Sequence, residues 1–84
     1  MNDKIPLKYP FTAGSGETVA EIAIRRLKVR DLKAISKEAP NDLVEQELIG
    51  VARMCGMVPE DLQEMDAADY QAVRERFRDV MGVS

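Results

Sequence analysis

Histidine is absent from this 84-residue chain and cysteine occurs once. The first absence removes the commonest general base and the commonest metal ligand together. A zinc site would have to be assembled from one thiolate and carboxylates, a poor donor set for that ion. The lone Cys55 excludes an internal disulfide and suits a reducing compartment. Long apolar runs are missing too. A membrane-spanning helix needs roughly 20 consecutive apolar residues, and the runs here are only a few residues long. The N-terminus has no apolar h-region of a secretory signal, so a cytoplasmic protein is expected.

What the chain has is globular composition: 45% hydrophobic and 32% charged residues. Its length allows one small domain, residues 1–84, with no room for a second core. The net charge of −3 argues against a dedicated nucleic-acid coat, which would be basic overall.

The first structural signal is a period of two. Ile5, Leu7, Tyr9 and Phe11 alternate with Pro6, Lys8, Pro10 and Thr12, which predicts a strand with one apolar face. Two prolines without amide hydrogens place that strand at a sheet edge, with both prolines turned away from the ladder. Gly14 and Gly16 supply a turn, and residues 18–27 read as the return strand of a hairpin spanning 5–27. Ala20, Ile22 and Ile24 form its apolar face. A lone hairpin is marginal in water, so that face must be covered by helices or by another chain.

From Val29 the period becomes helical. Val29, Leu32, Ile35 and Ala39 form one stripe, with Asp31 in the first turn, where the helix dipole favours an anion. Pro40 ends this helix, and Asn41 or Asp42 can cap the next. The second helix carries a stripe of Val44, Leu48, Val51, Ala52 and Cys55, widened by Leu43 and Ile49, and Gly56 stops it. Pro59 opens a short helical turn. Asp66 and Asp69 resemble a capping box for a last helix, striped by Tyr70, Val73, Phe77, Val80 and Met81 and stopped by Gly82. The expected fold is α+β: an N-terminal β-hairpin packed against three main α-helices over residues 29–82.

Charge is segregated along the chain. Residues 25–37 carry a net +5, with Asp31 their only acid, whereas residues 38–70 carry −8. The basic stretch, with Arg25, Arg26, Lys28 and Arg30 at its head, reads in two ways. It is an electrostatic docking patch for an acidic partner, or a solvated face neutralised by the acidic part of the same chain. It has no interleaved aromatics on which single-stranded bases would stack.

No enzyme mechanism can be assembled from the remaining parts. The Gly14-Ser15-Gly16 turn is too short for a phosphate-binding loop and is not followed by Lys-Ser/Thr. Glu45 and Glu47, or Glu60 and Asp61, sit at spacings that do not face each other on a helix. Cys55 falls on an apolar stripe and reads as a buried thiol. Five methionines in so short a chain suit either core filling or an adaptable binding surface. No cofactor is implied.

The order of segments carries a resemblance. Leu7-Lys8-Tyr9-Pro10, a glycine turn, and Thr18-Val19 opening the return strand precede the run from Arg25 to Leu32. Gln46-Glu47-Leu48, then Ala52-Arg53-Met54-Cys55-Gly56, Pro59-Glu60-Asp61-Leu62 and Asp66-Ala67-Ala68-Asp69-Tyr70 follow. Together they resemble the small tail assembly chaperones of Mu-like phages and prophages with contractile tails, from about Ile5 to about Met81. Leu27 stands where a proline is common in that family, and Val58 where Ser or Thr would cap the short helix.

The resemblance implies a non-catalytic helper in the host bacterial cytoplasm, absent from the mature virion. It would bind the tape measure protein and keep it soluble while tail tube protein polymerises around it. A longer form of the same protein, made by ribosomal frameshifting, is also implied. Such a role needs an apolar groove or an open strand edge. The groove is expected between hairpin and helices around Leu48, Val51, Met54, Tyr70 and Phe77, with Arg25, Arg26, Lys28 and Arg30 as a second contact. An edge hairpin on so small a core also makes a homo-oligomer an option. The competing readings are a small regulatory nucleic-acid-binding domain built on residues 25–37, and a minor structural subunit of the tail.

Overall fold

The computed structural model describes residues 3–82 and shows the expected α+β arrangement, a hairpin followed by helices. The hairpin pairs β1 (Asp3–Thr12) with β2 (Thr18–Ile24) in antiparallel fashion. Four helices follow: α1 (Val29–Glu38), α2 (Leu43–Cys55), the single turn α3 (Pro59–Leu62) and α4 (Ala67–Val80).

Both strands differ from their expected bounds. β1 begins two residues earlier, at Asp3, which pairs with Ile24. β2 stops at Ile24 rather than Leu27, because the Arg25 amide leaves the sheet and donates to the Met54 carbonyl at 3.0 Å. The larger difference is inside the ladder. Pro6 pairs with Glu21 and Phe11 with Val19, so residues 7–10 of β1 face Ala20 alone. Pro10, with no N–H to offer, lies in this bulge. Past it the alternation fails: Ile5, Leu7 and Phe11 pack inward, but Tyr9, expected on their face, is exposed.

The core is built on α2. Leu7, Phe11 and Ile22 of the hairpin meet Val51, Ala52 and Met54 of α2, Leu62 of α3, Met65, and Val73 of α4. A smaller cluster of Ile35, Ala39 and Ile49 fastens α1 to α2. The C-terminal half of α2 is therefore buried nearly all round, while its first turn projects beyond the packing. Leu43 and Val44, both expected on the buried stripe, are exposed.

Local signals set the helix ends. The Asp42 side chain accepts the Glu45 amide at 3.1 Å, and Gly56 takes the left-handed conformation with φ 68°. Val58, where a hydroxyl would cap, makes no side-chain cap bond at α3. At α4, Asp66 accepts the Ala68 amide at 2.9 Å. The capping box expected from Asp69 gives way to a different bond. Its carboxylate turns to β1 and receives the Lys8 and Tyr9 amides at 3.1 and 2.9 Å.

Helix α1 is rolled relative to its expected stripe. Ile35 and Ala39 are buried as expected, but Val29 and Leu32 are exposed and Asp31 takes the inner position, 2% exposed. A carboxylate is buried only where donors surround it, and α1 turns to bring Asp31 to them.

Candidate functional site: an apolar groove over α2

Three donors converge on Asp31. Arg25 reaches both carboxylate oxygens, at 3.0 and 3.2 Å, and Arg53 Nε donates to Oδ1 at 3.0 Å. The Lys28 amide donates to Oδ2 at 2.8 Å, which is one half of a capping box for α1. The Arg25 hydrogen bonds above all, then the Lys28 amide and Arg53, hold this carboxyl well below the usual carboxylate range. The partnership in turn raises the Arg25 guanidinium. The cluster ties the end of β2, the start of α1 and the last turn of α2 into one unit. It also removes Arg25 from the set of free surface cations.

α1 and α4 both pack on α2 but not along each other. Between them lies a groove of about 350 Å³, lined by Leu32, Ile35 and Ser36 of α1, Leu43, Gln46 and Glu47 of α2, and Phe77 and Met81. Its floor is shaped by Gly50, on whose Cα the Phe77 ring rests so closely that an added Cβ would stand 2.6 Å from the ring. The apolar walls are open to solvent. Leu43 is 80% exposed, Leu32 40% and Met81 37%. Large apolar side chains gathered on one concave surface mark a binding site more often than isolated ones do.

The acid of this groove is already engaged. Glu47 Oε1 lies 2.7 Å from Arg74 Nε and accepts the Tyr70 hydroxyl at 3.4 Å. Burial first, and then the Glu47 charge and hydrogen bond, push the Tyr70 phenol up to about 12.

A second depression, of about 630 Å³, runs along the outer edge of β2 from Thr18 to Ala23, bounded on its far side by residues 55–58 and Asp61. The strand's outer edge carries no partner strand among the described residues. Two of the acids in this depression are occupied: Glu21 pairs with Lys4 at 3.2 Å, and Asp61 accepts the Gly14 amide at 2.9 Å. Cys55 sits at its margin, with burial pushing the thiol up to about 12, far from the nucleophilic range.

The sequence-derived site residues divide sharply. Phe77 lines the groove. Leu48 and Tyr70 are half-buried against the core, and Val51 and Met54 lie within it with no exposed surface. The groove that includes Phe77 lies among the helices, whereas the depression between hairpin and helices is lined by other residues than those expected. Arg26, Lys28 and Arg30 are exposed on the connection into α1 and its first turn. Leu32, Leu43 and Met81 as groove walls were not assigned from sequence. The available signal was the Leu43-Val44 pair directly after a cap, more apolar surface than a first turn can bury.

No group of three or more acidic, cysteine or histidine side chains among the described residues is arranged to hold a metal ion. No described helix is long and apolar enough to cross a membrane. A small domain that keeps an open apolar groove between two helices has the build of a protein-binding module. The chain belongs to the family described as phage tail assembly chaperone proteins, E, or 41 or 14, which it matches over residues 4–82. Neither a curated protein nor a solved structure matches it.

Proposed function

We propose that this tail assembly chaperone binds the tape measure protein without catalysis and keeps it soluble in the host cell while the tail tube assembles. The observation that carries the reading is the open groove, where Leu32, Leu43 and Met81 present apolar surface that the fold leaves uncovered. A protein that shields apolar helices of another chain needs such a surface, and an amphipathic helix laid into an apolar groove is one established mode of such docking. The outer edge of β2 is a second place where extended chain, or another copy of the protein, would pair.

The rival reading as a nucleic-acid-binding domain is weakened at its centre, because Arg25 is committed to Asp31. The test is co-expression with the tape measure protein of the same gene cluster. Wild-type chain is expected to bring that protein into the soluble fraction and to co-purify with it in low and high salt. Leu43→Asp is expected to lose both effects. Loss of co-purification at high salt together with duplex binding would favour the nucleic-acid reading. Recovery of the chain in purified virions would favour a structural tail subunit.

A further inference from the structure

We infer that the groove between α1 and α4 takes an amphipathic helix whose apolar stripe is flanked by acidic residues. This deepens the proposed function and rests on it for the identity of the site. The argument is one of charge around an apolar floor. At 100° per residue, Lys33 falls beside Ser36 on α1 with Lys37 one turn on, and Arg78 falls beside Met81 on α4. All three are exposed, and none makes an ion pair among the described residues. Lys33 therefore stands on one long side of the groove and Arg78 on the other, while Lys37, about 100° round from Ser36, points outward beyond the α1 rim.

Acids do not offset them there. Glu47, the one acid lining the groove, is paired with Arg74 and hydrogen-bonded by Tyr70. The same periodicity turns Glu45 and Asp79 toward the other sides of their helices and puts Glu38 past Ile35, on the flank of α1 that carries the buried Asp31. A helix laid across Leu32, Leu43, Phe77 and Met81 would bury its own i, i+3, i+4 and i+7 side chains. Its flanking positions would then meet ammonium and guanidinium groups in partly desolvated surroundings. Acidic flanks are attracted to such a rim, and basic flanks are repelled by it.

The test uses the full chain and two fluorescent peptides of about five helical turns, with one apolar stripe and either Glu or Lys at every flanking position. The Glu-flanked peptide is expected to bind at least about tenfold more tightly at low salt than the Lys-flanked one. The triple variant Lys33→Glu, Lys37→Glu, Arg78→Glu changes only exposed residues, so it should fold, which a thermal melt checks. It is expected to reverse the preference. Leu43→Asp should abolish binding of both peptides.

Equal binding of the two peptides, an unchanged preference in the triple variant, or no binding of either overturns the inference. So does a concentration-dependent dimer that Leu43→Asp dissolves, since a second copy would then cover the groove. Duplex binding that depends on Lys33 and Lys37 would also overturn it. Rescue of the tape measure protein is scored separately. Rescue without a charge preference sinks the inference alone, and a charge preference without rescue sinks the proposed function alone.

Discussion

The Asp69 carboxylate takes the place of a neighbouring strand for Tyr9, accepting its amide at 2.9 Å across 60 positions of sequence. The Lys8 amide donates to the other oxygen. Where β1 bulges away from β2, two consecutive N–H groups lose their ladder partners, and buried amides without acceptors are costly. Asp69 supplies both acceptors from the first turn of α4, where the helix dipole also favours its charge. The start of α4 is thereby pinned to the hairpin, which fixes the line of the helix that carries Phe77 and Met81 to the groove.

Asp69→Ala should therefore destabilise the domain by about 1.5–3 kcal/mol, the range for hydrogen bonds to charged groups. Asp69→Asn retains one acceptor oxygen and should lose less. Urea denaturation gives the magnitudes. Hydrogen exchange locates the cause, since the Lys8 and Tyr9 amides should exchange faster well before global unfolding. Unchanged protection at those two amides would show that β1 is held by other means.

Asp31 leads to a prediction in pH. In the unfolded chain its pKa is about 3.9, and in the folded chain Arg25, Lys28 and Arg53 hold it lower. A depressed folded pKa means that the stabilisation is complete above the unfolded value and is lost as pH falls below about 4. Asp31→Asn, which carries no such charge, should be less stable than wild type at neutral pH. The gap should narrow steadily as pH is lowered from 5 toward 2. Denaturant midpoints across that range check it, and a gap independent of pH would mean that the charge of Asp31 contributes nothing.

These two carboxylates also mark the limit of what the sequence made legible. The hairpin turn, the Asp42 cap, the Gly56 stop and the Pro59 turn depend on neighbours within a few residues, and each formed where those neighbours directed. Of the expected α4 stripe, Tyr70, Val73, Phe77 and Val80 pack on the core, with Val73 fully buried, while Met81 is exposed at the groove. The failures are all non-local. Periodicity turned Val29 and Leu32 inward, but α1 is rolled by a carboxylate seeking Arg53, 22 positions away. Alternation turned Tyr9 inward, but the bulge is stabilised by a residue in the last helix. The groove walls Leu32, Leu43 and Met81 went unassigned for a related reason. Stripes show which residues are apolar, and only packing shows that the first turn of α2 outruns its cover.

Gly50 sets up a contest between local and tertiary effects. Alanine gains about 1 kcal/mol over glycine inside a helix. Its Cβ would stand 2.6 Å from Phe77 Cζ and 3.3 Å from Ile35 Cδ1, and overpacking of that kind costs about 1–3 kcal/mol. Phe77 is half-buried and borders the open groove, so its ring has somewhere to go. Gly50→Ala should thus change stability by no more than about 1 kcal/mol. It should weaken peptide binding markedly, because the displaced ring fills the floor. A large loss of stability with binding intact would show instead that the ring is fixed and the helices separate.

Met54 and Leu43 separate core from contact surface. Met54 has no exposed surface, so Met54→Ala should cost about 2–5 kcal/mol by opening a cavity in the main cluster. In a domain whose total stability is of order 5–15 kcal/mol, that is a severe loss. Leu43 projects into solvent, and Leu43→Asp should alter stability by no more than about 0.5 kcal/mol. The functional order should be the reverse. At a temperature where both variants are folded by circular dichroism, Met54→Ala should still rescue the tape measure protein and Leu43→Asp should not. If the folded Met54→Ala protein also fails to rescue it, the partner must reach the core itself. The domain would then have to open on binding, with Val51 and Met54 exchanging intramolecular packing for contacts to the bound helix.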